Sequence, residues 1–195
     1  MMKLEQIRHA LIHKTVGIAG CGGLGSNCAV ALARAGIGKL VLVDFDRVEA
    51  SNLNRQYFFR EQIGMFKVRA LRDNIMDIDD SLIIETHVDQ LDEKGVKNYF
   101  SDCDLIVEAF DTAAAKQMII ETVLGEMPEK YILSGQGLAG YGNNDSLVMR
   151  RSGNLFTIGD GETEVSDNMP PLAPRVAIVA NMQANLALEL LLEKE

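Results

Sequence analysis

Apolar residues along the chain fall into runs of two kinds. Short, continuous runs rich in Val, Ile and Leu occur at residues 15–19, 39–43, 82–88, 105–109 and 131–134. They are too short for stable helices and do not alternate with polar positions, so they predict strands buried on both faces. Between them the apolar positions recur at three- and four-residue spacing. Residues 1–14 place Leu4, Ile7, Leu11 and Ile12 on one helical face, a second helix runs to Ala35, and residues 66–77 align Val68, Leu71, Ile75 and Ile78. A short helix is expected at 96–100 and a longer one from Thr112 to Gly125, capped by Asp111 or Thr112. Strands that alternate with helices call for a parallel sheet with right-handed crossovers and helices on both faces, an α/β fold.

The last third changes style. Residues 145–151 and 154–158 are β-like runs joined across Ser152 and Gly153, so the sheet is expected to end in antiparallel strands. Residues 159–173 are acidic, broken by prolines and without periodicity; a loop of that length is expected to be mobile until a partner orders it. Pro174 then opens a helix to Leu192. Its near-continuous apolar residues (Val176, Ile178, Val179, Met182, Leu186, Leu190) predict burial on more than one side, in the core or in part at a homodimer interface.

The 195 residues, 47% of them apolar, suffice for one core, and no composition shift marks a boundary, which predicts a single domain over 1–195. A net charge of -9 argues against a nucleic-acid backbone or an anionic membrane as the main partner. The first residues carry charges throughout, and no apolar run approaches a membrane span; both point to the cytoplasm. Cys21, Cys28 and Cys103 form no C-x-x-C pair, so they are expected as free thiols with no structural zinc.

The candidate chemistry starts at Gly20, Gly22 and Gly25, a G-x-G-x-x-G set between a strand and a helix, in a Rossmann-like context. One glycine permits the tight turn, one lets a phosphate approach the backbone, and one allows close packing, while the helix start turns free N–H groups to the anion. Asp44, at the carboxyl end of the next strand, can accept from ribose hydroxyls. These residues suit NAD as well as ATP. Cleaving a triphosphate further needs cations and a metal-binding carboxylate. Arg55 in a polar turn, Lys67 opening a helix and Asp111 beyond a strand all fall at strand exits on the ligand side of such a sheet. Taken singly, each has a plainer reading: Asp44 as a turn cap, Arg55 as a surface ion pair, Asp111 as a helix cap.

In order, Gly20-Cys-Gly-Gly-Leu-Gly25, Asp44-Phe-Asp46, Ser51-Asn-Leu-Asn-Arg-Gln56, the G-x-x-K of Gly64 to Lys67, and Asp111 opening a helix resemble the ThiF and MoeB family of adenylyltransferases, relatives of ubiquitin-activating enzymes. The segments GQGLAGYG and PRVAIVANMQAN resemble the short ThiF variant associated with thiamine biosynthesis. The resemblance implies ATP-dependent adenylation of the C-terminal Gly-Gly carboxylate of a small ThiS-like, ubiquitin-like sulfur carrier. Asp44 would bind ribose, with Asp46 nearby, and Gly22 and Gly23 would admit the phosphates. Asn52, Arg55, Gln56 and Lys67 would hold the triphosphate, and Asp111 would hold Mg2+. Arg60 and Glu108 lie close by in the sequence pattern. An NAD-dependent oxidoreductase and a module that grips a carrier without turning it over are the alternatives.

The chain also departs from the family. Larger members carry two zinc-binding C-x-x-C pairs and often an acyl-accepting cysteine after the crossover loop, none of which is present here. An arginine is usually donated across the dimer, but Arg8 lies too near the glycine turn to take that role. Cys21 occupies a variable slot of the turn, where a small filler suffices.

Overall fold

The structure, a computed structural model, describes residues 2–193; Met1, the first residue of the helix expected at 1–14, lies outside them. Strands β1 (Thr15–Ala19), β2 (Lys39–Val43), β3 (Ile83–His87), β4 (Leu105–Glu108), β5 (Tyr131–Gly135), β6 (Val148–Ser152) and β7 (Leu155–Gly159) form one sheet in the order β3-β2-β1-β4-β5-β7-β6. Helices α1 (Leu4–Leu11), α2 (Gly23–Ala35), α3 (Lys67–Met76), α4 (Glu93–Phe100), α5 (Ala113–Glu126) and α6 (Ala173–Leu192) flank it. All pairings are parallel except β6 with β7. The expected α/β, Rossmann-like sheet with an antiparallel end is what forms. The hairpin turns at Gly153 and Asn154, one residue later than expected. Its second strand, β7, inserts beside β5 and leaves β6 at the edge.

Two cores follow from the two-residue period of the strands. Val16, Ile18, Leu40, Leu42, Leu105, Val107 and Leu133 face one side, where α2, α3 and α6 pack. Val41, Val43, Ile106 and Ile132 face the other, against Val96, Phe100, Ile119 and Val123 of α4 and α5. Because both faces are covered, the central strands can be apolar throughout. Helix α6 is long and apolar enough to cross a membrane by length and composition, yet 56% of its apolar window is buried inside the fold. It lies against α2 and the β5 and β7 strands.

The face expected for α1 needs correction. Leu11 is fully buried, but Leu4 and Ile12 are 64% and 59% exposed, and Ala10 is the second buried residue. The helix is only two turns long and ends at Leu11, so Ile12 no longer shares its face. At α5 the side chain of Thr112, rather than Asp111, accepts from Ala115 N–H as the cap.

Between β1 and β4 the strand order reverses, since the chain runs out to β3 and returns to the other side of β1. Such a switch point opens a crevice at the carboxyl ends of the strands.

Candidate active site

The glycine turn lies at that crevice. Gly20 has φ +92°, a conformation that side chains avoid, and a methyl group there would meet the Ala109 carbonyl at 2.9 Å. Gly25 permits the close packing of α2 on the turn: a methyl group would come within 1.8 Å of the Gly20 carbonyl oxygen. At Gly22 an added methyl would meet only Gln56 Nε2, at 3.7 Å, whereas at Gly23 it would press on Val176 at 3.0 Å. The first α2 turn is fixed by Ser26, whose hydroxyl donates to Gly22 O at 2.6 Å and accepts from Tyr57 N–H at 3.0 Å. Asn27 adds bonds from its amide to Gly23 O (2.7 Å) and Arg55 O (2.9 Å). These two residues draw the 51–57 segment onto the helix start. Sequence reading missed both, because a Ser and an Asn inside a helix carry no signal of which backbone they will serve.

Asp44 leaves β2 with 8% of its surface exposed. Its two carboxylate oxygens accept from Cys21 N–H (2.6 Å) and Asp46 N–H (2.7 Å), which ties the nucleotide strand to the glycine turn. Burial pushes its pKa up; the Lys67 charge and the two N–H groups pull the other way. Lys67 is nearly buried and its Nζ rests 2.7 Å from Asp46 Oδ2. Its backbone N–H donates to Asp46 O, so the start of α3 is bound to the exit of β2.

Arg55 projects past α2. A methyl group on Gly23 would lie 3.7 Å from its Cγ, and its Nη1 donates to Ser51 O and Asn54 Oδ1. Gln56 is buried beside it, with Nε2 3.7 Å from where a Gly22 methyl would sit. Among the described residues its Oε1 has no partner. That oxygen is an acceptor, so a ligand hydroxyl or N–H rather than a phosphate oxygen would complete it, whereas Nε2 is the atom that can donate to phosphate. Asn52 is buried and structural in part, accepting from Glu49 N–H at 3.0 Å.

Asp111 is exposed, two residues beyond Ala109, whose carbonyl borders Gly20. The backbone bond from Ala109 to Ala19 fixes that neighbourhood. Mg2+ keeps several waters and takes few protein ligands, so one solvated carboxylate just past β4 is all that Asp111 would offer it. Arg60, by contrast, is exposed on a separate 3-10 turn (Arg60–Gln62), and among the described residues no side-chain bond ties it to the crevice. Arg8 lies at the far end of α2, where a Gly36 methyl would touch its side chain.

Glu108 turns out to be the hub beneath the site. Wholly buried at the end of β4, it accepts from Ser134 Oγ (2.6 Å), from Phe110 N–H (2.7 Å) and from Lys116 Nζ (3.0 Å to each oxygen). Such a satisfied buried pair holds the 109–112 loop in place. All three cysteines are buried. Burial pushes Cys28 and Cys103 up to about 12 and Cys21 well above the usual thiol range, so none is a thiolate at neutral pH.

Residues 4–195 match the model of the ThiF family. The chain belongs to the ThiF family. It is 34% identical over 170 residues to ubiquitin-like modifier-activating enzyme 5 of Branchiostoma floridae, covering 81% of this chain and 39% of that protein. The Bombyx mori enzyme of the same name is 33% identical over 180 residues, with 86% and 42% covered. This ThiF-family chain therefore spans about two fifths of the length of the curated relatives it matches. Among solved structures, the E. coli tRNA N6-threonylcarbamoyladenosine dehydratase TcdA in complex with ATP superposes with a TM-score of 0.87 at 20% identity, over 97% of this chain and 90% of that one. E. coli MccB superposes with a TM-score of 0.72 at 20% identity, over 96% and 59%. At these identities both show the fold.

Proposed function

We propose that the protein is an ATP-dependent adenylyltransferase that activates the C-terminal carboxylate of a ubiquitin-like carrier. One observation carries the reading: Arg55, Gln56, Asp44 and Lys67, from three separated segments, converge on one glycine turn. A dehydrogenase binding a pyrophosphate needs mainly the backbone; two cations beside the turn suit a triphosphate that is to be cleaved. The ThiF-family match and the name of the relatives, modifier-activating enzymes, support the same reading.

Asp44 receives the ribose hydroxyls, the backbone at Gly22 and Gly23 admits the phosphates, and Arg55 and Lys67 neutralise the β and γ oxygens. Lys67 reaches them by exchanging its Asp46 partner for phosphate. The carrier carboxylate oxygen attacks the α-phosphorus, the bond to the bridging oxygen breaks, and pyrophosphate leaves with its electron pair. Mg2+ bound at Asp111 would supply further charge neutralisation on the triphosphate. No protein nucleophile is needed; orientation and fixed charge supply the rate. We infer a ThiS-like sulfur carrier, in thiamine biosynthesis, as the partner, supported by the GQGLAGYG and PRVAIVANMQAN segments, and a cytoplasmic homodimer as the working form.

The three thiols of this chain are buried and protonated, so on this chain the reaction stops at the acyl adenylate, with sulfur supplied by a separate donor. After incubation with ATP, Mg2+ and a recombinant ThiS ending in Gly-Gly, intact-mass spectrometry is expected to show carrier adenylate and an enzyme of unchanged mass. A reductant-sensitive, carrier-sized adduct on the enzyme would contradict this.

A further inference from the structure

The apolar helix α6 starts with a residue that its surroundings disfavour. Arg175 sits in the first turn, where a cation opposes the helix dipole, and it is only 4% exposed. Its Nη2 meets Asp160 Oδ2 at 2.6 Å and lies 3.4 Å from Ser146 Oγ, while Nη1 donates to Gly142 O. Asp160, 6% exposed, also accepts from Glu162 N–H, Thr163 N–H and Thr163 Oγ1 at 2.8, 2.8 and 2.9 Å. Burial alone would raise Asp160, but those donors and Arg175 outweigh it and hold the carboxyl at about 2, so the pair stays charged across the working pH range.

This pair fastens together the loop after β5 and the loop after β7. The first loop is shaped around the carboxylate: a methyl on Gly137, at φ +68°, would collide with Asp160 Oδ1 at 1.9 Å. Gly140 N–H donates to Pro170 O at 2.9 Å, and Ser166 and Met169 close the tip on each other. The acidic 159–173 segment, expected to be mobile until a partner orders it, is held at its base by Asp160 and at Pro170 by Gly140.

Both loops leave the sheet at the crevice end. A methyl on Gly135, the last residue of β5, would meet Leu24 of α2, and Val176, next to Arg175, lies 3.0 Å from the corresponding position on Gly23. The residues proposed to hold the nucleotide come from the ends of β1, β2 and β4, the 51–56 turn and the start of α3. The loops after β5 and β7 and the start of α6 thus border the glycine turn from the other side of the switch point. Arg175 Nε, buried and without a partner among the described residues, leaves the closed arrangement one hydrogen bond short.

We propose that the Asp160–Arg175 pair is a positioning element for the carrier: it holds the two loops as the wall along which an extended polypeptide tail reaches the glycine turn. This rests on the adenylation reading. The pair then governs recognition of the tail and leaves ATP binding to Asp44, Arg55 and Lys67.

The test compares wild type with Arg175→Lys and Asp160→Asn. Arg175→Lys keeps the charge but loses the planar fork that spans two partners. Each variant is measured for ATP affinity, for KM of a recombinant ThiS ending in Gly-Gly in pyrophosphate exchange, and for hydrogen-deuterium exchange of 136–146 and 160–172. The expected result is faster exchange in those two loops, a carrier KM raised about tenfold or more, and an ATP affinity within about twofold of wild type. Faster loop exchange with an unchanged carrier KM would make the pair merely structural and overturn the proposal, as would unchanged loop exchange. Equal losses for carrier and ATP would overturn it too. A wild type that binds ATP but exchanges no pyrophosphate with the carrier would instead sink the adenylation reading, and the proposal with it.

Discussion

Lys67→Ala and Arg55→Ala are each expected to lower adenylation about a hundredfold or more while the protein still folds, the scale for removing one preorganised charge from a transition state. Folding should survive because Asp44, the buried carboxylate that Lys67 helps to neutralise, keeps its two backbone N–H donors, and Arg55 balances no buried charge. The partner of Lys67, Asp46, is 47% exposed at its side chain and can take water in exchange. Arg55 gives up bonds only to the Ser51 carbonyl and the Asn54 side chain. The two variants should differ in their pH response. Lys67 lowers the pKa that burial raises at Asp44, so its loss moves that pKa further up. The ionised form of Asp44, proposed to accept from ribose, is then lost at a higher pH as the solution is acidified. ATP affinity of Lys67→Ala should therefore fall earlier on acidification than that of Arg55→Ala. Pyrophosphate exchange and nucleotide titration across pH check both statements; near-normal exchange in either variant would mean the triphosphate lies elsewhere.

Gly25→Ala and Gly22→Ala should separate folding from binding within one motif. At Gly25 the added methyl would stand 1.8 Å from a backbone oxygen that no rotamer change can move. Overpacking of that severity is expected to cost about 3 kcal/mol, a drop of roughly 10 °C in Tm for a domain of this size. At Gly22 the methyl would meet only the flexible end of Gln56, at 3.7 Å, so the Tm should stay within about 2 °C. The same methyl stands where a phosphate would approach, and ATP affinity is expected to fall about tenfold or more. Thermal denaturation with and without ATP reads both effects. A destabilised Gly22→Ala, or a Gly25→Ala of normal stability, would contradict the packing described.

Much of this was legible in the sequence, for identifiable reasons. The strands at 15–19 and 39–43 form as read because glycines and charges bound them and both faces are covered. The face of α1 was misread because Ile12 continues its spacing but falls past the last turn. The hairpin was visible, but which of its strands would join β5 was not: parallel pairing of β7 with β5 is decided by contacts across more than twenty residues, such as Ile132 with Leu155. Asp44, Arg55, Gln56 and Lys67 were legible as candidates because their spacing follows the family pattern, and the structure places them near one another. Ser26, Asn27 and Lys116 were missed because their partners are backbone atoms or a buried carboxylate from other segments. Arg175 did leave a trace, a lone cation in the first turn of an apolar helix, which the apolar pattern around it obscured.

The most direct test is pyrophosphate exchange into ATP by the whole protein with Mg2+, with and without a recombinant ThiS ending in Gly-Gly, run beside nucleotide binding. The account predicts exchange that requires the carrier and vanishes when its terminal glycine is removed, together with thermal stabilisation by ATP. No carrier-dependent exchange, with stabilisation by NAD and none by ATP, would contradict it.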